Sequence, residues 1–197
     1  TSTDQNPLPH SFPNWGAFDV TLIVTAGGFC SDTLTQMIAV YPMPEPIFLA
    51  TTECLGTPTV FSDFSDVAFG SVESWTYNFD DNGVITNNSN PLYTFSTYGV
   101  FDVNLEVASD FGCITDTIIP VTVYPVATAD FSAAPVCLGS TTSFIDESTI
   151  PQDNIVQWDW SFNDGGTSTL QNAFHTYENA GLFNVNLTVT SNNGCVS

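Results

Sequence analysis

Apolar and polar residues alternate with a period of two along much of this chain. Phe183, Val185, Leu187 and Val189 fall on one side of an extended segment, with Asn184, Asn186 and Thr188 on the other. Trp158, Trp160 and Phe162 alternate in the same way. That period predicts strands buried on one face. Asn82-Gly83 and Asn193-Gly194 are turn signals between the runs. No segment sustains the 3.6-residue period of a helix. Short strands between regularly spaced turns predict an all-β fold built as a β-sandwich.

The pattern recurs. Asn179-Ala180-Gly181-Leu182-Phe183-Asn184-Val185-Asn186-Leu187-Thr188-Val189 matches Thr97-Tyr98-Gly99-Val100-Phe101-Asp102-Val103-Asn104-Leu105-Glu106-Val107. It matches again at Asn14-Trp15-Gly16-Ala17-Phe18-Asp19-Val20-Thr21-Leu22-Ile23-Val24. Each copy then reaches a cysteine, Cys30, Cys113 or Cys195. Upstream, Cys54-Leu55-Gly56 matches Cys137-Leu138-Gly139, and Trp75-Thr76-Tyr77-Asn78-Phe79 matches Trp158-Asp159-Trp160-Ser161-Phe162. Val40-Tyr41-Pro42 and Val123-Tyr124-Pro125 mark the ends of repeats. Residues 1–42 therefore read as the last half of one repeat, 43–125 as a complete repeat, and 126–197 as a repeat lacking its last strand. Residues 1–42 lack the Trp-bearing strand, so they are expected not to close a fold by themselves.

The third repeat carries a specific signature: Trp158-Asp159-Trp160-Ser161-Phe162-Asn163-Asp164-Gly165-Gly166-Thr167-Ser168, then Asn172-Ala173-Phe174-His175-Thr176-Tyr177, then Gly181-Leu182-Phe183-Asn184-Val185-Asn186-Leu187-Thr188-Val189. It closely resembles the PKD domain, whose pattern runs W-x-F-G-D-G-x-T-S, N-P-x-H-x-Y, G-x-Y-x-V-x-L-x-V. Asn163 stands where that family usually has Gly, and the middle repeat diverges further, with Asp80-Asp81-Asn82-Gly83 in the loop. The resemblance implies tandem immunoglobulin-like (PKD-type) β-sandwich domains, used for adhesion, spacing or carbohydrate contact on secreted proteins. Cys-Leu-Gly near the start of a repeat and Gly-Cys after its sixth strand also resemble the tandem repeats of very large surface adhesins from gliding or biofilm-forming bacteria.

Composition narrows the function. Lys and Arg are absent while Asp and Glu total 21, for a formal charge of −21. Nucleic-acid binding is excluded, because it depends on cations that neutralise phosphates. Docking on an anionic membrane fails for the same reason. Only 11% of residues are charged, fewer than the dense acid of a halophilic surface would need. A secreted chain of Ser, Thr, Asn and Asp fits better, and it offers no site to Lys- or Arg-specific proteases. No apolar run is long enough to span a bilayer. Thr1 opens on no signal-peptide pattern, so any targeting segment is expected outside these residues.

No constellation argues for an enzyme. His10 and His175 occupy equivalent positions, and the middle repeat has Tyr93 there, a swap that an imidazole-dependent role would not survive. Asp80-Asp81 and Asp146-Glu147 are paired carboxylates, but general acid catalysis would need one of each pair held protonated in a cleft. Calcium is the one cofactor the acids suggest, since hard cations take several oxygens. Its candidate ligands are Asp63, Asp66, Asp80, Asp81, Asp146, Glu147 and Asp153. Trp75, Trp158 and Trp160 are expected in the core. Trp15, in the turn before Gly16, is expected to be exposed and available to a partner. Thr33 and Thr117, each in an Asp-Thr-aliphatic triplet, resemble acceptors of bacterial O-glycosylation.

Five cysteines without a metal-ligand spacing read as an oxidised, exported framework. Two pairings are open. Spacing favours bonds within each repeat, Cys54–Cys113 and Cys137–Cys195, with Cys30 joined to a partner outside these residues. Topology favours Cys54–Cys195 across the junction, with Cys30, Cys113 and Cys137 left to outside partners. The turns before the second strand and after the sixth lie at opposite ends of such a sandwich, beyond disulfide reach. The chain thus reads as a non-catalytic segment of an extracellular, cell-surface adhesive stalk. Its expected partners are neighbouring repeats of the same long chain, and then surface polysaccharide or another cell-surface protein. The alternative is a carbohydrate-binding accessory module of a secreted hydrolase.

Overall fold

The computed structural model describes residues 1–28, 30–81 and 85–197 of the chain, which places Asn82 and Gly83 outside the described residues. Every regular element is a strand. Residues 1–42 contribute β1 (Gly16–Ala26) and β2 (Cys30–Val40), paired antiparallel with Gly16 opposite Val40. The middle repeat supplies β3 (Phe48–Ala50), β4 (Glu53–Cys54), β5 (Thr59–Asp63), β6 (Val72–Asn78), β7 (Ile85–Thr86), β8 (Leu92–Tyr93), β9 (Gly99–Ser109) and β10 (Ile114–Tyr124). They form two sheets, β3-β5-β8 and β4-β10-β9-β6-β7. The third repeat repeats this plan with β11 (Phe131–Ala133), β12 (Thr141–Asp146), β13 (Ile155–Ser161), β14 (Thr167–Ser168), β15 (Ala173–Thr176) and β16 (Asn186–Ser191). Its sheets are β11-β12-β15 and β14-β13-β16.

Alternation places the core between the two sheets. In the middle repeat Val103, Leu105 and Val107 of β9 are 0% exposed, packed with Phe48, Phe61, Tyr77, Phe79, Val121 and Val123. Their counterparts in β1 have nothing above them: Val20 is 48%, Leu22 59% and Val24 57% exposed. The same sequence pattern is buried in one copy and open in the other. β1 and β2 form a two-stranded sheet of their own, and a single hairpin cannot cover its own apolar face.

The third repeat shows the converse. In the middle repeat residues Gly99 to Val103 are paired by β10 alone, because the β6 pairing runs no further than Asn104. The third repeat has no counterpart of β10 among the described residues. The equivalent Gly181–Val185 stretch is accordingly not a strand, and β16 is 6 residues long where β9 is 11. A cleft of about 600 Å³ lies beside this stretch, with Val136, Leu138, Leu182 and Phe183 in its wall. Pro120 sits within β10, opposite Asp102. It is tolerated there because that stretch of β10 is an edge, whose outer N–H has no partner to lose.

Asn163 and Asp80 are equivalent, and both have left-handed backbone, with φ of 62° and 55°. This position is where the PKD pattern usually has Gly. Asn and Asp are the residues that enter this region at least cost after Gly, so the departure in sequence preserves the turn.

Candidate functional sites at the repeat junctions

The cysteines of the Cys-Leu-Gly turns and of the Gly-Cys turns have the same local geometry in the second and third repeats. Thr57 N–H donates to the Cys54 carbonyl at 2.9 Å, and Ser140 N–H donates to the Cys137 carbonyl at 2.9 Å. After the sixth strand, Gly112 N–H donates to the Ser109 carbonyl, and Cys113 N–H to Ser109 Oγ at 3.2 Å. Gly194 N–H and Cys195 N–H meet Ser191 in the same way, again with 3.2 Å to the hydroxyl. Gly112 and Gly194 hold φ of 78° and 82°, a conformation that favours Gly in these turns.

Cys54 is bonded to Cys195, with Cα atoms 5.6 Å apart and a separation of 141 residues in sequence. The bond crosses the junction of the second and third repeats. Cys54 lies beside Tyr124, the last residue of β10, in a short parallel pairing, and Leu55 N–H donates to the Tyr124 carbonyl at 2.8 Å. The end of the middle repeat therefore carries Cys54, and the turn after β16 brings Cys195 to it, fully buried. The within-repeat pairs Cys54–Cys113 and Cys137–Cys195 are not formed, and Cys30, Cys113 and Cys137 are free thiols. The two turns sit at opposite ends of each sandwich, so an intra-repeat bond would have to span the length of a strand.

The first junction is closed by aromatic rings. Tyr41, the equivalent of Tyr124, stacks on Phe111 at 3.7 Å between centroids with the planes 4° apart. Phe111 stacks on Phe69 at 5.6 Å, and Phe69 faces Trp15 at 6.1 Å. Trp15 remains 51% exposed, so it is both an interface residue and half open to solvent. Neither Phe69 nor Phe111 stands out in the strand pattern. Both lie in loops, where alternation carries no signal; the second junction has Gln152 and Asn193 in their places.

The acidic residues take up structural hydrogen bonds. Asp63 accepts from the Trp75 indole Nε1 at 2.7 Å, and Asp146 accepts from Trp158 Nε1 at 2.8 Å. Ser65 and Ser148 donate to the same carboxylates. These bonds explain a difference from the sequence expectation: Trp75 and Trp158 are half-buried at the rim, and the central positions belong to Tyr77 and Trp160. Asp66 accepts from Val67 N–H, and Asp153 from Asn154 N–H and Asn193 Nδ2. Asp80 and Glu147 are exposed. Among the described residues no three His, Cys, Asp or Glu side chains come together as a group that could hold a metal ion. Asp63→Ala and Asp146→Ala are each expected to cost their repeat about 1–3 kcal/mol through the orphaned indole and serine donors. The midpoint of urea unfolding measures this. A midpoint that rises with added Ca²⁺ in the parent chain and not in Asp146→Ala would restore the calcium reading.

His175 and Tyr93 do one job. His175 stacks on Phe162 at 4.2 Å and its Nε2 is 2.7 Å from Asp164 Oδ2. Tyr93 stacks on Phe79 at 3.9 Å, and its hydroxyl donates to Asp81 Oδ2 at 3.3 Å. In both copies a ring packs on the core and ties down the loop after the Trp strand. His10 lies edge-on to Phe12 in the open first segment. Thr33 is exposed on β2, whereas Thr117 is half-buried on the inward side of β10 with Thr115 and Ile119. A glycan on Thr117 would therefore meet the protein surface.

The Ser96 backbone N–H holds the Asp81 carboxyl below its ordinary range, helped by the Ser96 hydroxyl and Tyr93 and opposed by burial. The His175 hydrogen bond does the same for Asp164, with the Gly166 N–H second. Both groups are lower in the folded than in the unfolded chain, so their stabilisation is present above about pH 3.9 and is lost as pH falls through the folded values. The urea midpoint is expected to be level from pH 7 to 5 and to fall below about pH 4. A midpoint still rising at pH 3 would show that relief of repulsion among the 21 carboxylates dominates instead.

A model of the PKD domain family matches residues 39–123 and 122–197. Among solved structures, the PKD1 domain of Vibrio anguillarum Epp is 23% identical over 43% of this chain and 96% of its own, with a TM-score of 0.40. The PKD1 domain from Vibrio cholerae metalloprotease PrtV is 22% identical over 41% and 96%, with a TM-score of 0.38. The fibronectin(III)-like modules of Clostridium thermocellum CbhA are 11% identical over 77% and 89%, with a TM-score of 0.37.

Proposed function

The chain belongs to the PKD domain family, and from that premise we propose that it is a non-catalytic spacer segment of an extracellular, cell-surface adhesive stalk. One observation carries the reading: successive repeats are joined end to end by a covalent bond, Cys54–Cys195, and not by a flexible linker alone. A spacer must hold its length, and a cross-link that spans a junction removes the hinge there. The absence of Lys and Arg suits a surface polymer that must outlast proteases. Neighbouring repeats are its first partners.

A second reading rests on the rings of the first junction. Trp15, Phe69, Phe111 and Tyr41 line an open cleft of about 440 Å³, and stacked exposed rings are a surface that sugars use. Small-angle scattering and titration with soluble surface polysaccharides separate the two. A spacer keeps one elongated shape when oxidised, bends more freely as Cys54→Ser, and leaves the polysaccharide unbound. Saturable binding that is lost in Trp15→Ala would replace the spacer with a carbohydrate-binding module.

A further inference from the structure

We infer that Cys113 and Cys137 are each half of a further inter-repeat disulfide with the geometry of Cys54–Cys195, so that the bonds form a ladder of overlapping covalent loops. This rests on the reading of the chain as one stretch of a tandem array. Cys113 would take the Cys-Leu-Gly turn of the preceding repeat, and Cys137 the Gly-Cys turn of the following one.

The two junctions supply the argument. At the second, Cys54 lies beside Tyr124 at the end of β10 and meets the turn that holds Cys195. At the first, Tyr41 stands in the place of Tyr124 and stacks at 3.7 Å on Phe111, two residues before Cys113. The turn of Cys113 therefore already abuts the end of a preceding repeat, where that repeat's own Cys-Leu-Gly turn belongs. The free turns are also shaped like the bonded ones. Cys113 repeats the Ser109 bonds that Cys195 makes to Ser191, and Cys137 repeats the carbonyl bond of Cys54. Each bridge forms as two thiols give up two protons and two electrons to a thiol oxidant such as glutathione disulfide, which leaves as two glutathione thiols.

The spacing has a mechanical consequence. The loop closed by Cys54 and Cys195 is longer than one repeat, and both Cys113 and Cys137 lie inside it. The loop ending at Cys113 would close after this one has begun, and the loop beginning at Cys137 would open before this one has ended. Overlap leaves no residue of the array outside every loop. No repeat could then be drawn out to full length unless a disulfide broke.

The test is a lengthened chain, residues 1–125 followed by 43–197, which holds two complete repeats in tandem. Ile114→Val and Thr52→Ser, both at exposed positions, mark the second copy by mass on the peptides of Cys113 and of Cys54. The chain is refolded with glutathione disulfide, alkylated and mapped without reduction. The expected result is a link from Cys54 of the first copy to Cys113 of the second, beside the link from the second Cys54 to Cys195. The latter link reports folding in the same digest; should it be missing, the same insertion made without residues 1–42 is mapped in its place. An alkylated second-copy Cys113, or one bonded to Cys54 of its own repeat, overturns the ladder. That result leaves the stalk reading standing, while a fully linked chain that proves dispensable for adhesion would sink the stalk reading alone.

Discussion

Pulled by its two ends, the oxidised chain is expected to yield little length beyond what residues 1–54 supply. The load reaches Cys54, passes through the sulfur–sulfur bond to Cys195, and bypasses the 141 residues of sequence separation between them. Nearly all of the middle repeat and the third repeat lie inside that loop. Reduction, or Cys54→Ser, should release about 500 Å of further extension at full stretch. Cys113→Ser should change nothing, because that thiol is free in this chain. Single-molecule force spectroscopy reads the difference directly. Loss of a bridge from Cys54 to Cys113 in Cys54→Ser would free fewer than half as many residues, so a gain of about 200 Å in that variant would reject the cross-junction bond. The effect is large because it depends on contour length and not on the small net stability of either sandwich.

Trp160→Ala is expected to unfold the third repeat selectively. Trp160 is 2% exposed and its ring lies 5.2 Å from Phe131, 5.7 Å from Phe144 and 6.4 Å from Phe162. Its indole N–H donates to the Leu170 carbonyl at 2.8 Å. Removing a buried Trp costs about 3–5 kcal/mol, a large share of the roughly 5–15 kcal/mol that a domain possesses. The third repeat has the smaller buried cluster, Phe144, Trp160, Phe162 and Ala173, and no counterpart of β10 among the described residues. Hydrogen exchange should show β12, β13 and β16 losing protection while β5, β6 and β9 keep theirs. Trp160→Tyr should cost less than half as much. Tyr77 fills the equivalent site in the middle repeat and its hydroxyl donates to the Ser89 carbonyl at 3.1 Å. Uniform loss of protection across both repeats would mean that the disulfide couples them into one cooperative unit.

The same hydroxyl accounts for a further mark of burial at that site. Tyr77 is pushed far above the ordinary phenol range by burial first and then by the Asp63 charge, so it stays neutral wherever the protein is folded, as a core residue must.

Much of this architecture is legible along the chain. The two-residue period of Phe101, Val103, Leu105 and Val107 determined that strand and its inward face, and its recurrence at Phe18 to Val24 and Leu187 to Val189 marked two more strands. Those are local properties: a strand's side chains alternate whatever lies across from them. Tertiary structure decided what depends on residues distant in sequence. It chose Cys195 over Cys113 as the partner of Cys54, because bond reach is set by which ends of the sandwiches meet. It moved Trp75 and Trp158 to the rim by giving their indoles to Asp63 and Asp146. It gathered Trp15, Tyr41, Phe69 and Phe111 into one junction, since rings in three different loops and a strand end share no pattern that sequence could display. And it shortened the sixth strand of the third repeat, whose sequence is as apolar and as alternating as its counterpart, because a strand segment with no neighbour has no ladder to join.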